Sequence, residues 1–370
     1  QFINVVGGQP DNTVTSGVVA ATIGGGGDPA PYANKVTDNY GTVSGGANNQ
    51  AGNGGSTSDH GWATVGGGSG NRANGGSSTI GGGTDNVSDG NTSTVSGGQL
   101  NNASAQWATV GGGGSNRADG QLSTVAGGDK NYAVANWSAI GGGDNNQATG
   151  FKSTIAGGSI NTASGTSLST VGGGGLNTAS GANSTVPGGQ NNTAAGVNSF
   201  AAGYNAKANH NGSFVWADRV GTDFPSTADN EFSARATGGV RFVSAVDGSG
   251  VPTAGVQLAS GGGSWSSLSD RNAKMAISPL SGGDVLRKLA AIPVSEWSYR
   301  AQGSGVRHIG PMAQDFHRAF GLGESSRYID TVDSEGVALA AIKGLNAKLD
   351  RRIRKMSRQI RELRRAVRDN

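Results

Sequence analysis

A β-branched apolar residue recurs every 15 positions through Val65, Ile80, Val95, Val110, Val125, Ile140 and Ile155, then, after one step of 16, at Val171 and Val186. Each ends a Ser/Ala-Thr-Val/Ile phrase, except Ser138-Ala139-Ile140, and glycines follow. A second column at the same interval is asparagine: Asn71, Asn86, Asn101, Asn116, Asn131, Asn146, Asn161, Asn177 and Asn192. A third holds small apolar residues: Ala73, Val87, Ala103, Ala118, Ala133, Ala148, Ala163, Ala179 and Ala194. Columns at a fixed interval are the signature of a solenoid. Each repeat predicts a short Thr-Val strand, a glycine turn, a short Asn-x-Ala strand and a Gly or Asn turn. That is one coil of a narrow parallel β-roll, with Val/Ile and Ala facing inward from opposite walls. Glycine supplies positive φ at the turns, and stacked asparagines hydrogen-bond along their column.

One Val and one Ala per coil bury about 2–4 kcal/mol, so a single roll is expected to need partners. The pattern divides the chain into a degenerate lead-in over 1–60 and head repeats over 61–203. Alternating stretches at Ser213–Ala217, Glu231–Ala236 and Gly239–Val243 then predict a β-rich connector over 204–260. Ser260-Gly261-Gly262-Gly263-Ser264 opens a flexible hinge expected over 261–268. In the last segment, 269–370, Leu339, Ile342, Leu345, Leu349, Ile353, Met356, Ile360, Leu363 and Val367 recur 3 or 4 apart. This heptad seam predicts a coiled coil over 337–368.

Composition narrows the chemistry. With 68 glycines in 370 residues and 34% hydrophobic residues, one conventional core over the whole chain is excluded. There is no cysteine, hence no disulfide and no thiolate metal site. The histidines, His60, His210, His308 and His317, are scattered, so no metal and no cofactor are expected. No run of 18 apolar residues is present, so no membrane insertion is expected. The chain opens at Gln1 inside a repeat-like phrase, which reads as a fragment or a processed product. Its net charge of +3 conceals nine Lys/Arg against three Asp/Glu between Asp350 and Asp369. Without interleaved aromatics this excess reads as the solvated face of a coiled coil, and no nucleic-acid partner is expected.

Three residues before the strand Val/Ile, the repeats carry Trp62, Ser77, Thr92, Trp107, Leu122, Trp137, Lys152, Leu168 and Asn183. Regular, large apolar groups favour a protomer interface in which Trp62, Trp107 and Trp137 fill the groove between chains. The alternative is an exposed ladder that stacks on sugar rings.

At the change of composition stands Ser269-Asp270-Arg271-Asn272-Ala273-Lys274, a candidate nucleophile five residues before a candidate base. A serine hydroxyl is a weak nucleophile until a base takes its proton, and a lysine amine acts as that base only when neutral, a form that burial favours. Such a site is expected to become competent once assembly excludes water. Locally, Ser269 and Asp270 also read as a cap of a helix or turn, with Lys274 a solvated side chain.

Two resemblances extend this reading. From Thr64 to Gly203 the repeats resemble the head of YadA-like trimeric adhesins, a parallel β-roll whose three copies pack side by side, although the period here is slightly longer. From Ser269 onward the chain resembles the C-terminal intramolecular chaperone domain of phage endosialidase tailspikes and other tail fibres, shared by a membrane-bound myelin transcription factor. The carriers are Ser269-Asp270 with Lys274, Leu289 to Val294 with Trp297-Ser298-Tyr299, His308 to Phe316, Asp330 to Asp333, and Ala338 to Asn346. The resemblance implies autocleavage by a Ser269–Lys274 dyad, with His308 orienting the dyad or donating to the oxyanion. Scission is expected at Ser269-Asp270, with Leu268-Ser269 as the alternative. It also implies a homotrimer on a virion tail fibre or cell surface, with a cell-surface glycan or protein as receptor, and at most a single-turnover protease acting on itself. The alternative is a bacterial surface adhesin that retains the chaperone as a trimerisation cap. The expected fold is mainly β: a trimeric parallel β-roll of 15-residue repeats, a β-rich neck, and a small α/β domain ending in a three-stranded coiled coil.

Overall fold

The computed structural model describes residues 2–369. The chain forms two units, Gln1–Thr237 and Gly238–Asn370. The first is a parallel β-solenoid: a sheet of 16 strands and a sheet of 14, each coil contributing to both. Most strands are two residues long and pair one repeat apart, Thr64 with Thr79 and Val65 with Ile80. Alternation across a strand turns Val/Ile inward and Thr outward. Val65, Ile80, Val95 and Val110 are completely buried, as are Ala73, Ala103 and Ala118 on the opposite wall. Among the small residues the 15-residue interval holds where the expected Val87 would break it: Ser88, and not Val87, pairs with Ala73 and Ala103 and takes the buried slot. Val87 lies opposite Arg72 and Asn102 and is half-buried. Ser88 is accommodated because its hydroxyl is 2.7 Å from that of Ser93.

The asparagine column fixes the turns. Asn116 Oδ1 accepts the N–H of Asn131 at 2.9 Å, and its Nδ2 donates to the carbonyls of Gly112 and Gly128 at 2.8 Å each. These bonds tie each coil to the next, giving the Gly112 carbonyl its partner and the Gly128 carbonyl a second one beside the N–H of Gly114. Glycine is required beside them. At Gly98, with φ of 88°, an added Cβ would lie 2.2 Å from the carbonyl oxygen of Gly113.

Parallel stacking does not stop at Gly203. Phe214–Ala217 pairs with Phe200–Gly203 and Phe232–Arg235 pairs with Phe214–Ala217, both parallel and in the same sheet. The expected connector therefore splits, its first part being two further coils. Face-to-face stacking of Phe200 on Phe214 at 4.6 Å and of Phe214 on Phe232 at 4.9 Å replaces the Thr column there. In the lead-in, likewise, Val5–Val6, Thr22–Ile23 and Thr42–Val43 pair in parallel as coils. At the far end Arg235 donates to Asp218 at 2.9 Å, and the hydroxyl and N–H of Thr237 donate to the same carboxylate at 2.6 and 2.7 Å. The Thr237 bonds foremost lower the Asp218 pKa to about 2. Glu231 is lowered to about 2 as well, chiefly by the backbone N–H of Thr227.

The second unit begins with an antiparallel sheet of Gly239–Val246, Pro252–Ala259 and Trp265–Ser267. The expected hinge over 261–268 thus contains a strand, Trp265–Ser267, in which Trp265 and Ser267 pair with Leu258 and Val256. Three helices follow: α1 (Gly282–Ala290), α2 (Ala313–Phe320) and α3 (Thr331–Arg368). Ser281 caps α1 by accepting the Asp284 N–H, and Gly321 ends α2 with φ of 65°. A small core gathers Val285, Ile292, Phe316, Val337 and Ala341. The α1–α3 contact is close because glycines meet. A Cβ on Gly344 would stand 2.0 Å from the carbonyl oxygen of Gly282. Val337, Ala341 and Gly344 form the face of α3 turned to this core, whereas Leu339, Ile342, Leu349, Ile353, Met356 and Ile360 are exposed on the single chain.

Candidate functional site

Ser269 leaves the three-stranded sheet directly, since Leu268 still donates its N–H to Gly255 at 2.9 Å. Its neighbour Asp270 then starts a single 3₁₀ turn over Arg271–Ala273 by accepting the Asn272 N–H at 3.0 Å. The turn reverses the chain so that Lys274 Nζ donates to Ser269 Oγ at 2.6 Å. Capping by Asp270 and the Ser269–Lys274 contact therefore coexist: the cap creates the turn that delivers the amine. Ser269, Asp270 and Lys274 are all exposed on the single chain. For base catalysis the proton must run the other way, from Oγ to a neutral amine, which requires water to leave the contact.

His308 stands elsewhere in the same unit. It lies on a hairpin of Ser295–Trp297 and His308–Gly310, directly across from Trp297. Its ring stacks on Trp297 at 4.8 Å and meets Tyr299 edge-on at 5.3 Å, and its Nε2 is 2.8 Å from Gln302 Oε1. Neither Ser269 nor Lys274 is among its hydrogen-bonding or ring partners. Trp297, Tyr299 and Gln302 hold the imidazole in place. Gln302 and the stacking of His308 on Trp297 escaped the sequence reading. Both follow from a hairpin pairing that the Trp297-Ser298-Tyr299 phrase alone does not reveal.

Among the described residues no three of His, Asp and Glu gather as metal ligands. Trp62, Trp107 and Trp137 do share one column of the solenoid, each donating its N–H to a carbonyl of the preceding coil: Asn39, Asn91 and Gln121 respectively. The helix seam occupies one side of α3, with Asn346 in line between Ile342 and Leu349. No helix among the described residues is long and apolar enough to cross a membrane.

No curated protein matches the chain. Residues 269–321, which open on Ser269, include Lys274 and His308, and end at the glycine that terminates α2, match the model of the family described as chaperone of endosialidase.

Proposed function

We propose that this chain is a homotrimeric, tail-fibre-like protein for receptor attachment, whose C-terminal unit registers three chains, promotes folding of the solenoid and then cleaves itself at Ser269. The observation that carries the reading is the chaperone-family match beginning on the very serine to which Lys274 donates at 2.6 Å. The exposed seam of α3 supports three-chain assembly: apolar residues at 3 and 4 spacing bury themselves only against like helices. Chain registration suits this fold because a parallel solenoid assembled from several chains nucleates slowly and non-locally. A terminal bundle raises the effective concentration of the other ends, and cleavage afterwards makes unfolding hard to reverse.

Two bonds are within reach of the chemistry. Ser269 Oγ reaches the Leu268 carbonyl carbon through a five-membered ring. The C–O bond forms, the Leu268-Ser269 C–N bond breaks, the amine takes the proton, and water hydrolyses the ester. Its own carbonyl would need a four-membered ring, so scission of Ser269-Asp270 uses the serine of another copy or a water deprotonated by Lys274.

Ser269→Ala and Lys274→Ala should leave full-length trimers, because neither change touches the seam, while the wild type gives fibre and released domain on a denaturing gel. His308→Ala should slow release by about 10²- to 10⁴-fold without abolishing it. Wild-type trimers that stay intact through prolonged incubation would instead make 269–370 a permanent trimerisation cap on an adhesin.

A further inference from the structure

The turn column that contains the tryptophans is built against local conformational preference. Trp62, Trp107 and Trp137 hold φ of 65°, 60° and 57°, in the left-handed region that bulky L residues rarely adopt. Asn183 and Asn198 occupy the same slot at 55° and 56°, so the fold also accepts the side chain that suits it. The indoles are nevertheless turned to solvent, with Trp107 45% and Trp137 47% exposed. They add nothing to the coil's own core. The turn imposes this conformation in every coil, Ser77, Thr92, Leu122 and Lys152 holding φ of 57°, 58°, 59° and 55°, so what sets the tryptophans apart is the exposed aromatic face they present there.

A row of amides, Asn91, Gln106, Gln121 and Asn136, runs beside them, one residue earlier in four successive coils. Asn91 Oδ1 accepts the Gly76 N–H at 3.0 Å, and Asn136 Oδ1 accepts the Gln121 N–H at 2.9 Å. Gln121 Nε2 donates to Gln106 Oε1 at 3.3 Å. The carboxamides are thereby oriented, and the Nδ2 groups of Asn91 and Asn136 donate to no protein acceptor among the described residues. Coils in such a stack lie about 4.8 Å apart, comparable with the repeat of one hexose along an extended polysaccharide. Lys152 closes the row, its Nζ 5.5 Å from the Trp137 ring centre and 5.2 Å from that of Phe151, with no carboxylate among the described residues paired to it. A contact between copies on this face would have to strip water from that ammonium. The outward Thr79, Thr94, Thr109 and Thr124 row, uniform and uncharged, suits packing between copies better.

We propose that the Trp107–Lys152 stretch of this column is a carbohydrate site that takes an acidic polysaccharide lying along the solenoid axis. The indoles of Trp107 and Trp137 stack on sugar faces, the amides of Gln106 and Gln121 meet hydroxyls, and Lys152 meets a sugar carboxylate. The proposal rests on the fibre reading for its attachment role and names the ligand class.

The test applies the full-length chain to a printed array of bacterial capsular and O-polysaccharides and then titrates the retained polysaccharide. Trp107→Asn and Trp137→Asn should each weaken binding by roughly tenfold or more, while the melting temperature stays level or rises as strain is relieved. Lys152→Gln should weaken binding and flatten its salt dependence. Three results would overturn the site: no polysaccharide retained, binding indifferent to both indoles, or a lower melting temperature with a loss of trimer mass in the Asn variants. Trimer mass and Ser269 processing are read on the same samples. A cleaved trimer that binds no polysaccharide therefore sinks this proposal alone, whereas a folded monomer sinks the fibre reading.

Discussion

At the residue scale, stability of the solenoid rests on one asparagine per coil as much as on its Val and Ala. Asn116 satisfies the Asn131 N–H and two glycine carbonyls at once. Asn116→Ala removes the partner of the Asn131 N–H and of the Gly112 carbonyl, while the Gly128 carbonyl keeps the N–H of Gly114, and at about 1–3 kcal/mol per unsatisfied group the expected loss is about 2 kcal/mol or more. Chemical unfolding followed by circular dichroism measures it, and a loss below about 0.5 kcal/mol would assign the column a passive role. The asparagines were legible in the sequence because one side chain recurs at one interval with one geometry. Val87 was not, because the strand pairs Ser88 with Ala73 and Ala103, and a hydroxyl can enter that wall only through its contact with Ser93. The left-handed turns were also hidden. Trp, Leu and Lys fill most of the column, and only residues such as Asn183 carry the conformational preference that announces it.

At the element scale, α3 presents two faces. Val337, Ala341 and Gly344 meet α1 and its core, and the Leu339-to-Val367 seam is exposed on the single chain, where the proposed trimer would bury it. Ile353→Asp should therefore abolish trimerisation and impair solenoid folding while α1 stays docked on α3. Sedimentation equilibrium shows the first effect and circular dichroism the second. A trimer of wild-type stability would exclude the seam as the assembly surface. The last coils are held differently, by carboxylates. Asp218 and Glu231 both titrate at about 2, below the ordinary carboxylate range. Their contribution is complete above the unfolded values and is lost as pH falls through about 2. Acid should consequently loosen Phe214–Arg235 before the Val/Ile coils, which contain no such latch. Hydrogen exchange across that pH range resolves the order, and uniform loosening would contradict it. These coils were read as a separate neck because the 15-residue interval ends near Gly203. Stacked Phe200, Phe214 and Phe232 carry the same parallel pairing across unequal intervals.

At the scale of the whole molecule, a sparsely charged, glycine-rich solenoid precedes a unit that places Ser269 and Lys274 in contact. Sequence sufficed for that contact because it is local: a cap at Asp270 and one 3₁₀ turn close the five-residue spacing. His308 is a long-range matter. Its position depends on the pairing of two short strands and on Trp297, and in the single chain it faces Gln302 and not the serine. The exposed dyad and the exposed seam are two aspects of one expectation, that three chains must meet before the chemistry begins. Intact-mass spectrometry of the freshly produced wild-type protein tests this most directly. The expected result is two species whose masses sum to the full chain plus one water, with the boundary at Ser269-Asp270 or Leu268-Ser269. A single species at the uncleaved mass, in protein that sediments as a trimer, would contradict self-processing.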